Sequence, residues 1–275
     1  MKLRQLFLSS FMLAASVAMA FAQDSYKIYP VPQSQKVTSD KTSFTAKVNI
    51  VADQAIDQTT INRAVQILED KGLTAVVGKK ADSRLSNVYL GVNGSNGIAD
   101  RFATKLNVNR EVMSQKDKFD RHVLVLTGSK AKADVLVLGE NTDATFCGLA
   151  SLEQILDNGT NALQCVTIED FADIQYRGVI EGYYGVPYNA DVTNDLFRFM
   201  ARYKMNSYMY GAKSDPYHSH KWAEAYPDSI TAKQKEIGFL SSDMMRDIVE
   251  VSHQNKVNFI WAIHPGVAFT NPEDN

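Results

Sequence analysis

The sequence predicts an α/β protein in two parts, an α+β domain followed by the first three (β/α) units of a TIM barrel, cut short. Three observations predict it. Beyond about residue 175, three short apolar strands each run straight into a loop rich in glycine, aromatic or polar residues. These are Arg177–Ile180 into Glu181-Gly182-Tyr183-Tyr184-Gly185-Val186-Pro187-Tyr188, Met205–Tyr210 into Gly211–His218, and Val257–Ile263 into His264-Pro265-Gly266. Successive strands lie about 30 to 50 residues apart, the length that a parallel strand-helix-strand crossover needs. Before about residue 172 the pattern differs: separate apolar strands alternate with two amphipathic helices, the signature of helices laid on one sheet.

Taken in order, the first part starts at Tyr26-Lys27-Ile28-Tyr29-Pro30-Val31-Pro32-Gln33, and Phe44–Val51 alternates as a strand. A helix is expected from about Gln58 to Lys71, with Ile61, Ala64, Val65 and Leu68 on one face and Gly72 as its stop. Asn87–Val92, His122–Thr127 and Val135–Gly139 read as three further strands, and Thr145–Leu156 as a helix opened near Cys147 and facing Leu149, Leu152, Ile155 and Leu156 inward. Asn93–Gly97 reads as a turn without the strand-to-helix setting of a phosphate loop. The stretch Asp170–Tyr176 carries the chain into the second part. There, helices are expected over Asp191–Tyr203, with Val192, Leu196, Phe199 and Met200 inward, and over Thr231–Gln254, with Ile237, Leu240, Met244, Ile248 and Val251 inward. The chain stops at Asn275, about 100 residues after the first of these strands, whereas a whole barrel takes about 250.

The first 22 residues have the form of a cleaved export signal: Lys2 and Arg4, an apolar run from Leu6 to about Ala20, then Ala20-Phe21-Ala22. That run is shorter than the ~20 residues of a membrane span. The mature chain is therefore expected to be secreted or periplasmic. The domains expected are 23–172 and 175–275. A net charge of −2 with 22% charged residues implies no nucleic-acid partner, and 45% hydrophobic content allows a sizeable core. Cys147 and Cys165 are the only cysteines, and both sit in apolar helix or strand patterns. Two buried thiols are favoured over a bridge, which an exported chain would permit.

Chemistry in an α/β barrel sits at the C-terminal ends of its strands. Gly182 directly follows a strand, where the lack of a Cβ lets a ligand approach the backbone; a plain turn glycine would look the same. Lys213 offers three donors to hydroxyl groups, or is a solvated lysine. Asp215, before Pro216, suits a loop brace. Glu181 suits a buried carboxylate held by strand-end hydrogen bonds and barrel arginines. Tyr184, Tyr188, Tyr217 and Trp222 could stack on a sugar face or pack the loops. His218, His220 and His264 with Asp215 invite a metal reading, but His218-Ser219-His220 lacks the HExxH spacing, so no metal is expected. No nucleophile elbow supports a Ser-His-Asp triad.

The stretches RGVIEGYYG, MNSYMYGAKSDPYHS and FIWAIHPG resemble the first three barrel strands of glycoside hydrolase family 84, the β-N-acetylglucosaminidases that include O-GlcNAcases and some enzymes called hyaluronidases. FCGLASLEQIL resembles the non-catalytic hexosaminidase-like domain before that barrel. The resemblance implies a retaining exo-enzyme in which the substrate's own acetamido oxygen attacks the anomeric carbon. One aspartate polarises the amide while its neighbour protonates the leaving oxygen, an exception to the two-carboxylate scheme. It implies that Gly182 and Lys213 hydrogen-bond N-acetylglucosamine, and that the substrate is a glycan or glycoprotein bearing that sugar. It implies no cofactor. Ser214 stands where many members have an acid. The family's adjacent aspartates are expected beyond Asn275, because no Asp-Asp occurs in the sequence, and the chain by itself is expected to be inactive. The competing expectations are a non-catalytic sugar-binding or scaffold protein of the same fold and a different hexosaminidase family sharing the N-terminal domain, the second disfavoured by the GYYG and GAKSDPYH motifs.

Overall fold

The structure is a computed structural model that describes residues 25–181, 188, 190–211 and 242–262. The first unit is a mixed seven-stranded sheet in the order β1-β7-β5-β6-β4-β2-β3. Its strands are β1 (Ser34–Thr42), β2 (Lys47–Ala52), β3 (Thr74–Val77), β4 (Ser86–Val92), β5 (Phe119–Ser129), β6 (Lys132–Gly139) and β7 (Leu163–Ala172). β3, β2, β4 and β6 run parallel, while β5 is antiparallel to both β6 and β7, and β7 to β1.

The inner strands read as continuous apolar runs because both faces are covered. Val88 and Leu90, Leu124 and Leu126, and Val135 and Val137 pack on one face with α1 (Gln58–Asp70) and α3 (Thr142–Ile155). Tyr89, Val123, Val125, Leu136 and Leu138 pack on the other, with α2 (Ile98–Lys105) contributing Ala99 and Ala103. The α+β layout expected for this part is present, with a helix on the second face as well.

Caps set where these helices begin. Asp57 accepts the Thr60 N–H at 2.8 Å ahead of α1, and Asn141 accepts the Ala144 N–H at 2.9 Å ahead of α3. The Asn141 cap starts α3 at Thr142, so Cys147 lies in its second turn instead of opening the helix. Gly72 ends α1 at φ +76°, as the sequence suggested. The turn 93–97 does have a strand-to-helix setting, between β4 and α2, contrary to expectation. A side chain already fills that helix end: Asp53, 4% exposed, accepts Ala99 N–H at 2.9 Å, Asp100 N–H at 3.3 Å and the Ser95 hydroxyl at 3.0 Å. An anion has no room there; a Cβ on Gly97 would already lie 2.1 Å from the Asp53 carboxyl carbon. Asp170 also differs from expectation, lying inside β7 and not in the connection that follows it.

The second unit is a parallel layer, β8 (Gly178–Ile180), β9 (Ser207–Tyr210) and β10 (Asn258–Trp261), with Gly178 and Asn258 both opposite Ser207. α4 (Ala190–Arg202) lies between β8 and β9, and α5 (Ser242–Gln254) precedes β10. Three parallel strands in sequence order, joined through helices, are what the sequence predicted. Of the expected inward residues, Leu196, Met200, Ile248 and Val251 pack into the core, whereas Val192, Phe199 and Met244 do not. Thr193, Phe197, Met200 and Ala201 are buried in α4, whereas Val192 and Phe199 are 46% and 48% exposed. In α5, Met245, Ile248 and Ser252 face inward, and Met244 is 40% exposed. The expected stripe at Ile237 and Leu240 lies outside the described residues, as does the expected leader, 1–22.

The first unit seats the N-terminal ends of these strands. Just before β8, Arg177 pairs with Asp120; before β9, Lys204 donates to Asp170 at 2.7 Å; before β10, Lys256 donates to Asp143 at 2.6 Å and pairs with Asp57. At the end of α4, Arg202 donates to Glu153 at 3.0 Å and pairs with Asp157, while the Gln154 side chain donates to the Arg202 carbonyl at 3.1 Å. Every one of these cations belongs to the second unit and every acid to the first.

Candidate functional site

With the N-terminal strand ends docked, the C-terminal ends of β8, β9 and β10 point away from the first unit. The strand ladder continues one residue past each edge strand: Glu181 N–H donates to the Met209 carbonyl at 2.9 Å, and Ala262 N–H to the Tyr210 carbonyl at 2.8 Å. The loops therefore leave from one level. Gly182 and Lys213, the two expected sugar-binding residues, lie outside the described residues, as do Tyr184, Asp215, Tyr217, His218, His220, Trp222 and His264.

What is described at this level is a satisfied carboxylate on an aromatic floor. Glu181 is 5% exposed; its Oε1 accepts the Tyr188 N–H at 3.0 Å and its Oε2 accepts the Tyr208 hydroxyl. Of the strand-end hydrogen bonds and arginines expected to hold the carboxylate, the hydrogen bonds are present, from a phenol on β9 and a backbone amide, and both described donors are neutral. Tyr208 is fully buried, edge-on to Phe197 at 5.2 Å and tilted against Phe259 at 5.6 Å. Burial raises the Tyr208 phenol far above its ordinary range, and the neighbouring Glu181 adds to this, so the hydroxyl remains a donor. Tyr188 is 43% exposed, so its ring lies open at the rim.

A second polar cluster lies at the junction of the units, beside a cavity of about 250 Å³ lined in part by Asp120, His122, Cys147, Asp170, Arg177 and Lys204. Sequence reasoning missed it. His122, on β5, is 1% exposed; its Nδ1 lies 2.7 Å from the Asp120 carbonyl, which can only accept, so Nδ1 carries the proton. Nε2 is then an acceptor without a partner, 3.8 Å from Asp170 Oδ2. Burial, then the Lys204 charge, push the His122 pKa down to about 4, leaving the ring neutral. Asp170 is fully committed to Lys204, to Phe171 N–H at 2.9 Å and to Gln33 N–H at 3.3 Å. The cluster fastens the two units together. Among the described residues no His/Cys/Asp/Glu group could hold a metal ion.

Cys147 and Cys165 are both free and buried, in line with two thiols and no bridge. Burial raises both thiols above their ordinary range, which makes them poor nucleophiles. Among the described residues no helix is long and apolar enough to cross a membrane.

Comparison with known proteins agrees with this geometry. Residues 25–171 match the family model described as glycosyl hydrolase family 20, domain 2, and residues 177–275 match beta-N-acetylglucosaminidase. The protein O-GlcNAcase of Rattus norvegicus is 29% identical over 99 residues, 35% of this chain and 10% of that protein. Among solved structures, CpGH84D is 34% identical with a TM-score of 0.72 over 88% of this chain and 38% of its own. CpGH84B is 26% identical with a TM-score of 0.66, over 88% of this chain and 37% of its own. The chain thus spans a tenth of that curated relative and under two fifths of the solved chains. With more than half its length matched by the first model and most of the remainder by the second, the chain belongs to the glycosyl hydrolases that join a family 20-type domain 2 to a β-N-acetylglucosaminidase domain, as family 84 does, and it corresponds to their N-terminal portion.

Proposed function

We propose that this chain is the N-terminal part of a retaining exo-β-N-acetylglucosaminidase that removes N-acetylglucosamine from glycoconjugates through the substrate's own acetamido group. The supporting observation is that the β-N-acetylglucosaminidase match coincides with the β8-β9-β10 layer, whose C-terminal ends carry the buried Glu181 and the aromatic floor under it. In this reading Gly182 and Lys213 receive the sugar. The backbone at Gly182 approaches closely because no Cβ intervenes, and the Lys213 ammonium donates to a hydroxyl. No metal or organic cofactor takes part. The amide-polarising and proton-donating aspartates lie beyond Asn275, since the sequence contains no adjacent pair. Residues 1–22 are a cleaved export signal, so the protein works outside the cytoplasm, and 23–172 and 175–275 are its two domains.

The test is release of nitrophenol from an aryl N-acetyl-β-glucosaminide. The 275-residue chain releases none, and the protein continued through its aspartate pair does. Hydrolysis by the short chain would overturn the assignment of the acid. Inactivity of both would favour a non-catalytic sugar-binding or scaffold protein of the same fold.

A further inference from the structure

His122 leaves one buried atom unmatched. Its Nδ1 proton goes to the Asp120 carbonyl, while Nε2, an acceptor on a side chain 1% exposed, has no hydrogen-bond partner among the described residues. Nε2 turns toward Asp170, 3.8 Å away, and a carboxylate cannot donate to it. Both residues line the cavity of about 250 Å³ between the two units. A buried acceptor without a donor is costly, so this wall calls for an O–H or N–H from whatever enters.

The rest of the cavity sets the other properties of an occupant. Pro30 and Val31 line it from the start of the first unit, and Phe171, Ala172 and Ile174 from the end of β7 and the connection after it. Val31 and Ile174 are 73% and 66% exposed, which puts them at the mouth. The lining charges are already matched: Arg177 pairs with Asp120, Lys204 with Asp170 and Asp173 with Lys118. The interior therefore gains nothing from a further cation or anion. An apolar cavity of about 150 Å³ takes up benzene, so this one has room for a single ring carrying a hydroxyl. Apolar walls around a few converging polar groups, placed between two units, are the usual make-up of a small-molecule site.

We propose that this cavity binds a small neutral compound with a hydroxyl at one end and an apolar body, the hydroxyl donating to His122 Nε2 and the body lying against Val31, Phe171 and Ile174. His122 and Asp170 belong to the first unit, Arg177 and Lys204 to the second, so an occupant touches both and adds to the junction between them. The site lies at the N-terminal ends of β8 and β9, at the opposite end of the layer from the strand ends read as the sugar site. It does not depend on the glycosidase reading.

Phenol is the probe, with toluene as a ring of similar size that has no donor and benzoate as an anionic counterpart. In NMR titrations of the 275-residue chain, phenol moves the His122 Nε2 nitrogen resonance and the Phe171 and Ile174 amides saturably. Toluene and benzoate each bind at least about tenfold more weakly, toluene because it lacks the hydrogen bond to the buried acceptor. His122→Phe removes that acceptor and brings phenol and toluene within about threefold of each other. Because that change is buried, Val31→Asp at the exposed mouth is the second variant: it weakens phenol at least about threefold and leaves the urea midpoint of the protein unmoved. Equal affinities for phenol and toluene in the wild type, or tighter binding of benzoate, would overturn the proposal. So would a persistent water contact at the His122 ring with no response to phenol, which would mean that water alone meets the acceptor.

Discussion

Replacing His122 with glutamine should flatten the dependence of stability on pH between about 4.5 and 6.5. His122 titrates at about 4 in the folded protein against an ordinary 6.5. Between those values the unfolded chain holds a proton that the folded chain excludes, so unfolding is favoured as pH falls. Integrated over the window, that difference is about 3 kcal/mol, fully lost by about pH 4 and fully regained above about 6.5. The proton is excluded because the ring is buried and because Lys204 stands across Asp170 from it. Asp120 and Asp170 pull the other way and do not win. Carboxylate titration falls in another window. Burial opposes it, yet the Lys256 and Thr60 contacts hold Asp57 below its ordinary 3.8, so its contribution is lost only as pH drops below that value. The assay is urea unfolding at half-unit steps from pH 4.5 to 7.5 on wild type and His122→Gln. The other histidines are common to both proteins, so the difference in slope belongs to His122. Parallel slopes, or an NMR titration of the His122 ring near 6.5, would refute the reasoning.

Two other perturbations follow from the same contacts. Asp170→Asn leaves Lys204 buried and unpaired, which should cost about 3 to 5 kcal/mol in urea unfolding, while the double variant Asp170→Leu/Lys204→Met should recover most of it; equal losses in both would mean that the charge pair is not what is missed. In the full-length glycosidase, Lys213→Ala removes a charged donor worth about 1.5 to 3 kcal/mol and should lower kcat/KM roughly ten- to a hundredfold. His220→Ala should change it little, and a reversal of that pair of results would reopen the metal reading.

How legible each element was depends on where its stabilising partner lies. β4, β5 and β6 announce themselves because burial on both faces demands unbroken apolar runs, and α1 and α3 because apolar residues recur at helical spacing; the Asn141 cap that sets where α3 starts was not read. β1 is mostly polar and mostly solvent-facing, and its identity as a strand comes from antiparallel pairing with β7, whose partner residues are more than a hundred positions away. α2 is only eight residues long, its fully buried contacts to the sheet are the small Ala99 and Ala103 beside a Phe102 stacked on Tyr89, and the carboxylate at its N-terminus comes from Asp53 on another connection. Neither the pairing with β7 nor the Asp53 contact has a local signature. In α4 Phe197 is buried and Phe199 exposed, and in α5 Met245 is buried and Met244 exposed, so large apolar side chains one position off the stripe match the pattern as well as those on it.

The site divides along the same line. That Glu181 would be buried could be read from a lone acid at a strand end, but Tyr208 as its donor could not, because they meet across 27 residues of chain. The junction did leave a trace: a basic residue stands within three positions of the start of each of the three strands, at Arg177, Lys204 and Lys256. Each meets an acid of the first unit. The two ends of the layer are thus built on opposite electrostatic plans. The N-terminal ends consume their cations in fastening the units together, whereas at the C-terminal ends the described carboxylate is satisfied by a phenol and an amide, which stabilise it without adding positive charge. Under the proposed function, in which two aspartates and the Lys213 ammonium meet the sugar, the site gains from that separation. A cation spent on Glu181 would lower the basicity of every nearby carboxylate, while neutral donors leave the electrostatics of the strand ends to the residues that meet the sugar.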